Sequence, residues 1–356
     1  MPNIRYFLGA NSPQGFYSLY DQLIDPEQAK SIYILKGGPG CGKSTLMSQV
    51  AHWAEKQGCA VQRILCSGDP DSLDAVVLPE LGTALVDGTA PHVVEPIHPG
   101  AVGHYVNLGA CYDVHALRPL LPQMKQCMTG YKDCYSRAYR ALTAAAQLME
   151  DNRAALLTQE VLDKMQRRAA GILSRECKNK KNTPPGRVCQ RFLSAITHKG
   201  VICHYDTATA QCERIYELSD SYRTAHHMLS HLLSGFTRGG YDVIACLDPM
   251  FPRRLEHLLI PELSLAFVTC PAASPMSQKP YRRIRLDAMP DAELLHMHRP
   301  RLRFSAKVAK SLIDDAVQSL SKAKAMHDEL ESIYNPHVDF QQADTMAQEI
   351  INRLSL

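Results

Sequence analysis

The stretch Ile32-Tyr33-Ile34-Leu35-Lys36-Gly37-Gly38-Pro39-Gly40-Cys41-Gly42-Lys43-Ser44-Thr45-Leu46 decides how the chain is read. Gly37 to Ser44 fits G-x-x-x-x-G-K-[ST], the pattern of a phosphate-binding P-loop. Ser31 to Leu35 is short, β-branched and apolar, as expected of a buried parallel strand. From Thr45 to Lys56 the residues Leu46, Met47, Val50, Trp53 and Ala54 recur at helical spacing, and Gly58 stands where a helix should stop. Strand, glycine loop and helix thus follow in the order that phosphate binding requires. The glycines at 37, 38, 40 and 42, with Pro39, Cys41 and Thr45 between and after them, let backbone N–H groups wrap phosphate oxygens. The helix N-terminus adds partial positive charge. Lys43 is expected to reach the β- and γ-phosphates, and the Ser44 hydroxyl to bind Mg²⁺. A glycine-rich turn without a ligand is the plainer alternative, and the flanking strand and helix argue against it.

Outward from this loop, 356 residues are too many for one ordinary core and suit two or three domains. A hydrophobic content of 45% with 21% charge is that of a globular rather than a disordered chain. The net charge of +3 gives no argument for nucleic acid or an anionic membrane as partner. Twelve cysteines include no C-x-x-C pair, which removes zinc-ribbon and thioredoxin-like readings. Met1 to Phe16 lacks the pattern of a signal peptide, and no run approaches the roughly 18 apolar residues of a membrane span. Reduced thiols in a cytoplasm are therefore expected.

The chain repeats itself. Tyr20-Asp21 returns as Tyr205-Asp206, and Ile32-Tyr33-Ile34-Leu35 as Ile215-Tyr216-Glu217-Leu218. Val76-Val77-Leu78-Pro79-Glu80-Leu81 returns as Leu258-Leu259-Ile260-Pro261-Glu262-Leu263. Matches in one order at a nearly constant offset indicate two similar halves. We place the first at 1–178, with an α/β core to about 115 and helices from 117 to 176. A polar, basic linker follows at 179–187. The second half spans 188–356, with its core at about 190–287 and helices from about 304 to 355. The helical additions read as hairpins, with Tyr131, Tyr135, Ala138, Leu142 and Ala145 in one stripe and Val308, Leu312, Ala316, Leu320 and Ala323 in the other. Such stripes are packing faces more often than cofactor sites, and an unknown protein partner is conceivable on them.

The second half keeps scaffold positions and loses chemical ones. A constant offset sets Asp220 opposite Gly37, Ala225 opposite Gly42, His226 opposite Lys43 and His227 opposite Ser44. Without glycines, Asp220 to His227 should not form an anion nest. Leu81 to Val86 ends at Asp87, as expected of a strand presenting an acid that holds Mg²⁺, and its counterpart is Thr269. His92, a candidate either to sense the γ-phosphate or to stabilise a turn, has Ser274 opposite it. Joint loss of Lys43, Ser44, Asp87 and His92 suggests one shared site. Asp69 or Asp74, after the Val61–Leu65 run, could orient the attacking water or a substrate hydroxyl, or simply cap the next element. His227 and His231 are four apart, as zinc ligands can be, but they do not complete a site.

In Gly37 to Thr45, Asp69-Pro70-Asp71-Ser72-Leu73-Asp74 and Asp87-Gly88-Thr89-Ala90-Pro91-His92, the chain resembles a family of uncharacterised bacterial P-loop ATPases with two similar nucleotide-binding halves. The resemblance implies duplicated α/β parallel-sheet domains, ATP and Mg²⁺ as ligands, and hydrolysis of ATP. Family members carry a P-loop in both halves, and here the second is degenerate. The expected function is an ATPase with one active site and a structural or regulatory second half. A small-molecule or nucleotide kinase, and a nucleotide-gated interaction module with little turnover, are the rivals.

Overall fold

The computed structural model describes residues 3–96, 98–178, 180–271 and 276–355. Asn179 of the expected linker and Ala272 to Ser274, the counterparts of Ala90 to His92, lie outside them. The first half runs β1 (Ile4–Tyr6), the hairpin β2–β3 (Gly9–Ser12, Gly15–Ser18), β4 (Ser31–Lys36), α1 (Lys43–Lys56), β5 (Gln62–Leu65), β6 (Leu73–Leu78), β7 (Thr83–Asp87), β8 (Gly103–Asn107), α2 (Val114–Leu117), α3 (Leu121–Leu156) and α4 (Gln159–Glu176). The second runs β9 (Val188–Arg191), the hairpin β10–β11 (Ser194–Thr197, Gly200–Cys203), α5 (Tyr205–Gln211), β12 (Arg214–Ser219), α6 (Ala225–Arg238), β13 (Val243–Asp248), β14 (Phe251–Ile260), β15 (Leu265–Cys270), β16 (Arg282–Arg285), α7 (Ala292–Tyr334) and α8 (Phe340–Leu354).

Each half builds a six-stranded sheet, in the orders β1-β5-β6-β7-β4-β8 and β9-β13-β14-β15-β12-β16. The two orders match strand for strand, and so do the strand directions. Both sheets are mixed, which corrects the expected parallel sheet. β6 runs against β5 and β7, and β14 against β13 and β15. The connections at 66–72 and 79–82 are too short to cross a sheet, so these strands must turn back. At the junction of the halves, Phe7 and Phe192 exchange both backbone hydrogen bonds at 2.9 Å, as two matching residues beside a local twofold axis would.

The helices cross between the halves. α3 and α7 pair antiparallel, with Gly130 against Met326, Arg137 bonded to Asp315 at 2.9 Å, and Arg301 3.3 Å from Asp151. Ala138, Ala141, Leu142 and Ala145 pack against Ala309, Ala316 and Leu320. α4 lies on α6 of the second half, and α8 on α1 of the first. Each helical addition is two helices in sequence, as expected, but the long helix of each finds its main partner in the other half. α7 begins well before residue 304, behind the N-cap Asp291, and carries Pro300 inside it. The segment around 180–187 is tied down as well: Lys180 N–H donates to Gly239 O and Gly186 N–H to Thr237 O. Among the described residues no helix is long and apolar enough to cross a membrane.

Candidate functional site

β4 delivers the glycine loop between two parallel neighbours, with Leu35 level with Asp87 on β7 and with Val106 on β8. The loop turns through Gly40 (φ 71°) and Gly42 (φ 87°), a backbone region that an L side chain enters only with strain. α1 starts directly at Lys43, and its Leu46, Met47 and Val50 are buried. Lys43 Nζ folds over the loop and donates to Gly37 O and Gly38 O, 2.8 Å each. It lies 3.7 Å from Asp87 Oδ2. The other Asp87 oxygen accepts from Thr89 N–H (2.8 Å) and the Thr89 hydroxyl (2.5 Å). Ser44 Oγ accepts from Leu73 N–H at 3.0 Å, which sets the loop beside the start of β6.

Asp74, the residue after Leu73, is buried, and its Oδ2 accepts from the Tyr20 hydroxyl (2.8 Å). His92 Nε2 lies 3.4 Å from the same oxygen. Burial lifts the Asp74 carboxyl above the ordinary carboxylate range, against the opposing pull of His92 and Tyr20, and Asp87 pushes it further up. His92 is buried between Phe16 and Tyr20, and its Nδ1 has no hydrogen-bond partner among the described residues. The structure thus gathers Lys43 with Asp87, Ser44 with the start of β6, and Asp74 with His92. Asp69 goes elsewhere: its carboxylate lies 3.2 Å from Lys324 on α7. Lys36 donates to Gly88 O (2.8 Å) and Val94 O (3.2 Å), and so holds the segment after β7.

Sequence reasoning missed the residues that cover the loop. The Tyr112 hydroxyl donates to Pro39 O at 2.8 Å. The Asn335 amide, oriented as its neighbours require, donates to Gly40 O at 3.1 Å. Phe340 lies beside Gly42, and Tyr334 packs on Tyr112 with ring centroids 5.2 Å apart. Asn335, Phe340 and Tyr334 come from the α7–α8 turn of the second half. No local pattern marks them, because their role depends on a partner roughly 300 residues away in the chain.

The matching region of the second half is filled by its own side chains. The buried faces align Leu46, Met47 and Val50 with Met228, Leu229 and Leu232, and Leu255 N–H donates to His226 Nδ1 (3.1 Å) as Leu73 N–H does to Ser44. Ala225 therefore stands opposite Lys43 and His226 opposite Ser44, a shift of one from the sequence alignment, because the second loop is one residue shorter. Asp220 is not left facing an incoming anion. Its carboxylate accepts from Ala225 N–H (2.7 Å), the Thr224 hydroxyl (3.1 Å) and Tyr222 N–H (3.3 Å), and so takes the helix N-terminus for itself. Arg223 pairs with Asp248 and approaches Glu256, the counterpart of Asp74, at 4.0 Å. His226 is held neutral to about pH 4, chiefly by burial, and His227 faces Arg153 at 3.2 Å. A metal on His227 and His231 would meet that guanidinium.

A family model described as Nephrocystin 3, N-terminal, matches residues 17–77. That segment takes in β4, the glycine loop, α1 and β5, and ends within β6 before Asp87. No curated protein and no solved structure matches the chain.

Proposed function

We propose that the chain binds ATP at Gly37–Thr45 and hydrolyses it with Mg²⁺, at one site in the first half. The observation that carries this reading is the position of Lys43. Its ammonium rests on two carbonyls of its own loop beside Asp87, at the junction of a parallel strand and a helix N-terminus. Phosphate oxygens are stronger acceptors than carbonyls, so an arriving triphosphate can draw the ammonium over. Ser44 and Asp87 fit Mg²⁺, because a hydroxyl and a carboxylate are the hard oxygen donors that it prefers. One Asp87 oxygen is fixed by Thr89, and the other faces only Lys43 among the described residues. Bound there, the ion would neutralise charge on the β- and γ-phosphates. Orientation of the attacking water falls to Asp74, with His92 at its side, since Asp69 is held by Lys324. A raised carboxyl suits that work.

One observation favours a second reading, a nucleotide-gated interaction module. The α7–α8 turn sits on the glycine loop through Asn335 and Phe340, so nucleotide would bear directly on the α3–α7 pair. Two measurements test the proposal. Calorimetry with a non-hydrolysable ATP analogue and Mg²⁺ should show binding to the parent and loss of at least about tenfold affinity in Lys43→Ala. Phosphate release without any added acceptor should accompany binding. Equal affinity in both proteins would sink the site, and tight binding with no release would leave the gated module standing instead.

A further inference from the structure

A cavity of about 980 Å³ opens in the second half, between the C-terminal turns of α3, the N-terminal half of α7 and the loop that holds Arg223. Leu295, Leu302 and Ile313 supply apolar wall. Arg299 and Arg303 stand one helical turn apart in the same lining, and neither has an ion pair or side-chain hydrogen bond among the described residues. Like charges so spaced repel each other. The other lining cations are engaged: Lys310 pairs with Asp314 at 2.7 Å, and Arg223 with Asp248. Asn152 also lines the cavity. It is 8% exposed, and its buried Oδ1 has no donor among the described residues. A buried acceptor left unpaired costs stability.

The first half carries bulkier side chains at the corresponding positions. Buried Met124, Ala138, Leu142 and Ala145 on α3 match Leu302, Ala316, Leu320 and Ala323 on α7 in order and spacing. Both runs follow an aspartate N-cap, Asp113 and Asp291. In this register Tyr131 and Tyr135 stand where the cavity has Ala309 and Ile313. Leu330, packed on Met124 and Cys127, stands where it has Asn152. Two rings with centroids 4.9 Å apart occupy these positions in one half, and the other presents an opening, two guanidinium groups unpaired among the described residues and a buried amide.

We propose that this cavity binds a small organic anion with an apolar or aromatic body. Its acid group lies between Arg299 and Arg303, which suit planar or tetrahedral oxyanions, and its apolar body lies on Leu295, Leu302 and Ile313. The site is separate from the P-loop and stands whether or not nucleotide binds there.

The test titrates 8-anilinonaphthalene-1-sulfonate into the full chain, followed by fluorescence and calorimetry. This probe joins an acid group, aromatic rings and one N–H. One saturable site per chain is expected, unchanged in Lys43→Ala. Arg299→Ala with Arg303→Ala should weaken it by at least about tenfold. Ala309→Tyr, which restores the ring of the first half, should abolish it. Unchanged affinity in the double arginine variant, or many weak sites in place of one, would overturn the proposal. The arginines are exposed, so this variant decides even if Ala309→Tyr does not fold.

Discussion

Asp87 and Asp74 are two carboxylates in one region with different surroundings. Asp87 has one oxygen fixed by Thr89 and the other beside Lys43, at the rim of the loop. Asp74 is buried beside Tyr20 and His92, and burial raises its carboxyl. On the proposed function, this difference suits Asp87 to hold the metal and Asp74 to orient water. Asp87→Asn should raise the Mg²⁺ concentration for half-maximal ATP turnover by at least about tenfold, with a smaller effect on nucleotide affinity. Asp74→Asn should lower turnover and leave the Mg²⁺ requirement in place, because Asn can still accept from Tyr20. If only Asp74→Asn shifts the Mg²⁺ requirement, the assignment of the two acids is reversed. These acids were legible in the sequence as residues at strand ends. Tyr20, which fixes Asp74, was legible only as one member of a repeated pair.

At the scale of elements, the contact of the end of α3 with β14 and with the start of α6 makes the fold sensitive to acid. Glu150 bonds Arg153 and Arg254, and these hydrogen bonds draw its carboxyl from an ordinary 4.5 to about 2. This stability is fully present above pH 4.5 and is lost as pH falls through about 2. His226 acts in a higher window. Burial takes it from 6.5 to about 4, so below pH 6.5 the unfolded chain binds a proton that the folded chain refuses. Its contribution is complete above pH 6.5 and is lost as pH falls through about 4. Denaturation midpoints at about pH 7 and pH 5 should therefore drop in the parent and drop less in His226→Asn, whose amide oxygen can still accept from Leu255 N–H. Identical drops would assign the loss to other groups, of which His204, also lowered to about 4 by burial, is the first to replace.

At the scale of the molecule, two sheets with one strand order carry two different loops. One presents glycines and a lysine, and the other is filled by Asp220 and Arg223. Titration of a non-hydrolysable ATP analogue with Mg²⁺ should give one site per chain, lost in Lys43→Ala and kept in His226→Ala. Two sites, or a residual site removed by His226→Ala, would show that the second loop still takes phosphate. Because His226 is neutral down to about pH 4, the count should not change between neutral and mildly alkaline buffer.

The local signals were sufficient for the glycine loop, its strand and helix, and the repeat. Each rests on neighbours in sequence: glycines that permit positive φ, a β-branched run, apolar residues at helical spacing. The apolar stripes of α3 and α7 announced that something covers them, and period alone cannot say what. Only the tertiary structure decided that α3 pairs with α7, that α4 and α8 cross to the opposite halves, and that Asn335 and Phe340 rest on the loop. It also revealed the one-residue shift that makes Ala225 the counterpart of Lys43. An offset counted along the chain carries past a deletion, whereas the buried face of a helix fixes its register by what it must pack against.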